Sequence, residues 1–495
     1  MHQTHSTYKR AIFWLLAFML AFAPLFRAGN LPAPLLLLEL ISLVIVTLML
    51  VRSDEPPQIK TEQMLVLAGI VLLPLLALIP VPETTWLQLP GRDTFSETLA
   101  LVGANGNDGW RTVSIVPNAT EGALLALLPP LVVFAAVISL PRQKITRLVY
   151  VAFGMAVFQS LLSLMQYGGG AGNFLYIENE FGIKAAAGTY LNKDHLAGFL
   201  EMVFPVVLAL LAATVGQHRF DSVPGNSWRK HLGFFATVKG HQASLYALIA
   251  ILLMLCLVFT RSRAGIALIM LGLFMTLVVF ARRLGGSNVY GTYGTVIAVI
   301  IVLTAEIGLA PILDRFSQDP MEDLRWSIYE TSIQGAVENF PVGTGPGTYP
   351  EIYPYYQAHD VDAFVNHAHN DYLEWVFDGG ALALVLILAG LGVYALGWRK
   401  LWIKGRWRTF RYIQVGAGIG IFLLILHSLV DFNLHKPANA IYFAFFLAVF
   451  LKENTEEHEL KEKSRKNVRT RRMESPKVPV PIVQKPRNGV SLNDW

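Results

Sequence analysis

The sequence predicts an all-α polytopic membrane protein with about twelve transmembrane helices, within a range of roughly ten to thirteen, and one large polar loop. Three observations predict it. The 495 residues are 54% hydrophobic and only 15% charged, against roughly 25% charge in soluble globular chains. Apolar runs long enough to cross a bilayer recur along the chain. The short basic connections between them all fall on one side when the runs are taken as alternating spans. The net charge of +5 therefore reads as basic cytoplasmic loops and excludes nucleic acid as the expected partner. The single cysteine, Cys256, lies in an apolar run, so no internal disulfide or cysteine-rich metal site is expected.

The first run extends from Lys9-Arg10 to about Leu25. A basic flank and an apolar core fit a signal peptide, and Ala21-Phe22-Ala23 resembles a cleavage site. A second run, Leu31 to Leu50, follows at once, so a retained helical hairpin is expected. Further runs lie at about 64–82, 121–140, 148–165, 195–213, 242–260, 264–282, 291–311, 375–396, 412–429 and 438–451. Lipid offers no partners to backbone groups, so these spans are expected to be helices. With the N-terminus in the cytoplasm, that side receives Arg142 to Arg147, the 214–241 connection, Arg282-Arg283 and the basic series Arg399 to Arg411. It also receives the C-terminal tail. The tail carries eleven Lys/Arg and seven Asp/Glu after Phe450 and ends in a Pro-spaced stretch. Residues 451–495 are expected to be a disordered charged tail.

The opposite face receives most of the unusual polar sequence. Its largest part is the stretch 312–372, which carries four acidic residues before Arg325, the turn Gly343-Thr344-Gly345-Pro346-Gly347, and then His359, His367 and His369. Loops this long inside a compact unit are functional or disordered. Trp326, Tyr329, Tyr349, Tyr353, Tyr355 and Tyr356 argue against disorder. The expected organisation is a bundle over residues 1–450 that includes 312–372 as its catalytic loop.

Five constellations could carry chemistry. In Thr260-Arg261-Ser262-Arg263-Ala264-Gly265, two arginines stand between touching apolar runs, on the face that the basic-residue rule disfavours. Headgroup snorkelling is the bland reading; an anion site is the sharper one, because guanidinium is a rigid donor fork for phosphate oxygens. Arg325, on the same face, could complete a clamp on a diphosphate. His367-Ala368-His369-Asn370-Asp371-Tyr372-Leu373-Glu374 offers a general base of near-neutral pKa, with Asn370 or Asp371 to orient the ring. A metal at His367 and His369 lacks an evident second ligand cluster, so none is expected. Asn192, Lys193 and His195 precede a span containing Glu201, whose carboxylate needs a partner or a polar cavity. Asp431, in the stretch His427 to Pro437, could hold a basic side chain or a sugar hydroxyl.

Four of these stretches resemble, in order, the O-antigen ligase / Wzy-type polymerase superfamily of bacterial envelope glycosyltransferases. They are GTYLNKDHLAGFLEM at 188–202, TRSRAG at 260–265, RWSIYETSIQGAVENFPVGTGPGTY at 325–349 and HAHNDYLEWVFDGG at 367–380. DFNLHKPAN at 431–439 resembles a variant seen in exopolysaccharide-associated members. Asp194 stands where the family pattern has Asn. The resemblance covers roughly 120–450 and implies a glycan donor on undecaprenyl or another polyprenyl diphosphate. It also implies an acceptor sugar hydroxyl on a glycan or glycolipid, and no cofactor or essential metal. It places the reaction at the outer face of a bacterial inner membrane, with both termini cytoplasmic and the site facing the periplasm. A flippase and a chain-length regulator are the implied protein partners. By motif, Arg263 and Arg325 match the donor-binding arginines, Arg261 a less constant one, and His369 the histidine before Asn. Asn192, Lys193, His195, Glu201, His367, Asn370, Asp371 and Asp431 are the expected supporting or acceptor-side residues. Polymerisation of repeat units is expected ahead of ligation to lipid A-core. A transporter is the rival of another class, but the sequence shows no matching pair of broken helices in its two halves. A non-catalytic assembly scaffold is the third reading.

Overall fold

Helices account for nearly all of the architecture in the computed structural model, which describes residues 2–52, 59–101, 109–169, 185–216, 236–284, 298, 320–359, 361–362, 364–402 and 407–453. In order, these are α1 (His2–Phe22), α2 (Pro32–Arg52), α3 (Thr61–Ala77), α4 (Arg92–Leu101), α5 (Pro117–Ala126), α6 (Leu128–Ser139) and α7 (Arg142–Gly169). They continue with α8 (Lys193–Gly216), α9 (Val238–Thr260), α10 (Arg263–Leu284), α11 (Pro320–Glu338), α12 (Asp371–Leu401), α13 (Thr409–His427) and α14 (Pro437–Leu451). Among the described residues, eight helices are long and apolar enough to cross a membrane, α5 and α6 acting as one continuous span. The apolar helices α3 and α14 are shorter. These and α1 correspond to all but one of the expected runs; the run at 291–311 lies outside the described residues apart from residue 298, as does the tail beyond Glu453.

α8 is the axis of the bundle. Its hydrophobic window is buried all round, and it packs on α9, α10, α13 and α14. Small residues on α13 let the two backbones approach. A Cβ at Gly416 would lie 2.7 Å from the Pro205 carbonyl oxygen, and one at Gly420 would collide with that of Met202. This is the small-residue spacing that brings membrane helices together by van der Waals contact.

One expectation is corrected. The span expected at 64–82 stops at Ala77, and Pro80–Pro82 forms instead a strand, β1, antiparallel to β2 at Trp110–Thr112. Its two prolines cannot supply helical N–H groups. The class is therefore all-α apart from this small ribbon. Within the stretch 312–372, α11 occupies most of the first half. The stretch packs against other parts of the chain. Trp86 and Phe95 from the 83–101 segment join Ile328, Tyr349, Tyr353, Tyr356, Val365 and Phe377 in a second apolar cluster separate from the bundle core.

The glycine-rich turn fastens this tyrosine-rich unit to the bundle. α12 breaks at Gly380 (φ 55°, ψ −138°), and the turn docks on the break. Gly345 N–H donates to the Asp378 carbonyl (2.8 Å), Ala381 N–H to the Pro341 carbonyl (2.9 Å) and Gly347 N–H to the Asp378 carboxylate (2.7 Å). Gly343 (φ 80°) would drive a Cβ into the Asp378 carbonyl, so backbone-on-backbone contact requires glycine there.

Candidate functional site

The TRSRAG turn is built by its small polar residues. Thr260 Oγ1 donates to the Leu257 carbonyl (2.6 Å) and accepts from Ser262 N–H (3.2 Å). Ser262 Oγ caps α10 by accepting from Gly265 N–H at 3.1 Å. Arg261 takes the left-handed conformation between them (φ 56°). Two caps thus join α9 to α10 almost without a linker and leave Arg261 and Arg263 flanking the join. Arg261 reaches the Tyr167 hydroxyl (3.2 Å) and lies over its ring. Gly265 packs against Ala197, two residues beyond His195, so the arginine turn sits beside the start of α8.

The GTYLNKDH turn enters α8 next to it. Gly188 and Thr189 close on Gln159: Thr189 N–H donates to Gln159 Oε1 (3.1 Å). Asn192 Oδ1 accepts from Asp194 N–H (2.8 Å), which opens the helix at Lys193. Glu201, fully buried on α8, finds its partner in His427 at the end of α13, with Nδ1 3.1 Å from Oε1 and 3.2 Å from Oε2. That pairing answers the carboxylate problem posed by the sequence.

The histidine segment is held from three sides. Asn370 caps α12 with its Oδ1, accepting from the N–H groups of Tyr372 and Leu373 at 3.0 Å each. Its side-chain oxygen is therefore a helix cap. Tyr372 donates to the Ile425 carbonyl on α13 (2.7 Å), and Tyr329 on α11 donates to the His369 carbonyl (2.9 Å). His369 itself is left-handed (φ 51°), a conformation non-glycine residues adopt at a cost and one that clusters at functional positions.

These segments meet around Phe432. Its ring is edge-on to His195 (4.6 Å) and His369 (4.9 Å), stacked on His367 (4.2 Å), and has the Lys436 ammonium 4.7 Å over it. Beside it Asp431 lies between two imidazoles, with Oδ1 3.5 Å from His369 Nδ1 and Oδ2 3.7 Å from His195 Nε2. Burial alone would raise its pKa, but His195, His369 and His427 outweigh it and hold the carboxyl below the usual range. A second carboxylate–imidazole group adjoins this one. His435 Nδ1 meets Asp371 Oδ1 at 2.7 Å and its Nε2 meets Glu374 Oε1 at 3.2 Å. Burial opposes charge on His435, yet Glu374 and Asp371 push its pKa up to about 9. His367 Nδ1 lies 2.9 Å from the same Glu374 oxygen, and burial lowers its pKa against the pull of that carboxylate.

The structure thus gathers His195, His367, His369, Asp371 and Asp431 into one cluster, with the arginine turn alongside through Gly265 and Ala197. Arg325 stands one turn before Tyr329 on α11. Burial raises the Tyr329 pKa, Arg325 draws it down and Asp431 raises it, so this tyrosine feels both charged groups. Glu201 belongs to a neighbouring pair and not to the cluster. Phe432, His427, His435 and Tyr329 are the participants that sequence reasoning missed as actors. The DFNLHKP stretch was visible as polar, but nothing in it marks Phe432 as the residue around which three histidines pack.

Residues 248–388 match the family model described as O-Antigen ligase. The match runs from α9 into α12 and contains Arg261, Arg263, Arg325, His367 and His369; it ends before Asp431. No curated protein matches the chain.

Proposed function

From the assignment of this chain to the O-antigen ligase / Wzy-type polymerase superfamily, we propose that it moves a glycan from a polyprenyl-diphosphate donor to an acceptor sugar hydroxyl at the outer face of a bacterial inner membrane. The observation that carries the reading is that His369, beside Asp431, is tied to α11 through Tyr329, while His195 on the other side of Asp431 starts the helix turn against which Gly265 of the arginine turn packs. Arg263 and Arg325, helped by Arg261, take the diphosphate. The acceptor oxygen bonds to the anomeric carbon as the carbon–oxygen bond to the diphosphate breaks, and the electron pair leaves with polyprenyl diphosphate. The hydroxyl proton goes to Nε2 of His369, whose Nδ1 faces Asp431. Direct displacement inverts the anomeric centre, and the arginines stabilise the departing charge without a metal among the reacting groups. Fixed donors aimed at developing charge supply most of such an acceleration.

Asp431 is the orienting carboxylate in this reading, and His195 shares it. Lys193 and Asn192 at the start of α8 face the acceptor side. The two reactions share donor activation; the exopolysaccharide-like stretches GTYLNKDHLAGFLEM and DFNLHKPAN put polymerisation of exopolysaccharide or O-antigen repeat units first and ligation to a terminal acceptor second. A flippase that delivers the donor and a chain-length regulator are the expected partners. In this reading both termini are cytoplasmic, so a topology reporter at residue 360 reads external and one at residue 230 reads cytoplasmic.

The test is reconstitution. Purified protein supplied with a polyprenyl-diphosphate glycan and an acceptor forms a new glycosidic bond. No product would leave a transporter or a scaffold. Deleting the gene then separates polymerase from ligase: single repeat units remain on the lipid after loss of a polymerase, and long lipid-linked chains accumulate after loss of a ligase.

A further inference from the structure

His367, Glu374 and His435 come from three places: the end of the polar stretch, the first turn of α12, and the short 3₁₀ turn Asn433–His435. Their ligand atoms lie within 4.8 Å of one another. Glu374 Oε1 is 2.9 Å from His367 Nδ1 and 3.2 Å from His435 Nε2. Ligands at metal distances of roughly 2.0–2.2 Å in a tetrahedron stand about 3.3 Å from each other. Two edges of such a face, both running from Glu374 Oε1, are thus close to this spacing, and the third, between the two imidazoles, is within 4.8 Å.

We propose that His367, Glu374 and His435 bind a divalent transition-metal ion, with zinc the best match, and that the ion fastens the histidine segment to the turn after α13. The outer contacts are those that metal-bound groups need. His435 turns Nδ1 to Asp371 Oδ1 (2.7 Å) while Nε2 faces the trio, the arrangement in which a carboxylate fixes the tautomer and orientation of a ligating imidazole. Asp371 is itself held by Leu434 N–H at 3.1 Å. The second oxygen of Glu374 accepts from Ala368 N–H at 2.8 Å, which aims the first inward. Two imidazole nitrogens and one carboxylate oxygen favour zinc over magnesium or calcium, which prefer all-oxygen shells. Glu374 and Asp371 bring two carboxylates into a buried place on either side of the His435 ring, and a dication that displaces the Nε2 proton restores positive charge between them. Glu374 is 2% exposed and the two histidine side chains 17% and 20%, so the open side for entry is the histidine side.

The site is distinct from the proposed base. His369 turns to Asp431, not to this trio. Its backbone lies between two ligands, His367 and Glu374, so an ion there would hold the left-handed turn that presents His369. Sequence reasoning set a metal aside for want of a second ligand cluster, and His435, more than sixty residues on, is the ligand it lacked.

The test needs no glycan, so its failure is separable from failure of the transfer reading. Full-length protein is purified in detergent through a tag free of histidine, stripped with chelator and titrated with Co²⁺ at neutral pH. One equivalent with the visible absorption of four-coordinate cobalt, displaced by Zn²⁺, is expected. Glu374→Gln, which keeps the side-chain shape, and His435→Ala should abolish it. Asp371→Asn should weaken binding about 10–100-fold, and His359→Ala should leave it unchanged. Absence of saturable, zinc-displaceable absorption in the wild type overturns the site. So does wild-type cobalt binding in Glu374→Gln, which decides the matter even where His435→Ala fails to fold.

Discussion

The bundle and the tyrosine-rich unit solve the same problem with different physics. Around α8 the core is aliphatic and phenylalanine-rich, with Leu200, Val203, Phe204, Leu208, Ile419 and Phe445 buried together. Such packing is non-directional, and small residues set how closely helices approach. In the tyrosine-rich unit the three buried tyrosines of the second cluster are also tied by their hydroxyls. Tyr349 meets Ser332 at 2.7 Å, Tyr353 meets Thr331 at 2.9 Å, and Tyr356 accepts from Asn339 at 3.0 Å. Its hub is a charge. Arg92, fully buried, donates to Asn339 Oδ1 (3.0 Å) and to the carbonyls of Val113 (2.9 Å) and Gly343 (2.8 Å). Burial lowers its pKa to about 10, so it stays protonated at neutral pH. The lesson is that a short polar segment between spans can be ordered by directional bonds where it lacks the apolar area of the bundle.

The comparison implies that side chains of the polar region carry chemistry while the bundle holds them. His369→Ala should cut transfer about 10²–10⁴-fold while the thermal unfolding of the purified protein stays as in the wild type. Arg263→Lys, which keeps charge and loses the donor fork, should also be impaired. Full transfer rates in both variants, at normal protein level, would detach this region from catalysis.

Arg92→Ala sharpens the contrast in stability. It orphans the buried Gly343 carbonyl, the part-buried Val113 carbonyl and Asn339, at about 3–5 kcal/mol. Limited proteolysis should then cut within 320–370 while the bundle helices stay intact; uniform loss of all helices would mean that the two regions unfold together.

A change in the bundle should be felt through volume instead. Gly416→Val presses on the Pro205 carbonyl and should cost about 1–3 kcal/mol, read as a lower midpoint of thermal unfolding in detergent. An unchanged midpoint would show that α8 and α13 can separate at no cost. The smallest effect belongs to Tyr349→Phe. It removes the partner of Ser332 and keeps the ring, at about 1 kcal/mol; a loss as large as that of Arg92→Ala would make the hydroxyl, not the arginine, the hub.

Much of the bundle was legible because a spanning helix is a local object. Apolar length and the need to close backbone hydrogen bonds specify it without any knowledge of neighbours. Leu31 to Leu50 and 375–396 could be read in this way. The Arg261/Arg263 turn was legible for a related reason: charge between touching apolar runs is anomalous wherever it occurs. The end of α3 was misjudged because hydropathy alone ran the span past Ala77 to Pro82, through Pro80 and Pro82, whose segment pairs instead with Trp110–Thr112, far along the chain.

The sequence by itself determined the membrane class, the positions of most spans and the residue types available for anion binding and proton transfer. Only the tertiary structure decided who meets whom. Glu201 with His427, Asp431 between His195 and His369, and His435 against Glu374 are pairings across dozens to hundreds of residues. No periodicity encodes them, because the partner of a buried carboxylate is fixed by helix packing and not by spacing along the chain. The same packing turned Asn370 into a helix cap and Phe432 into the centre of the histidine cluster.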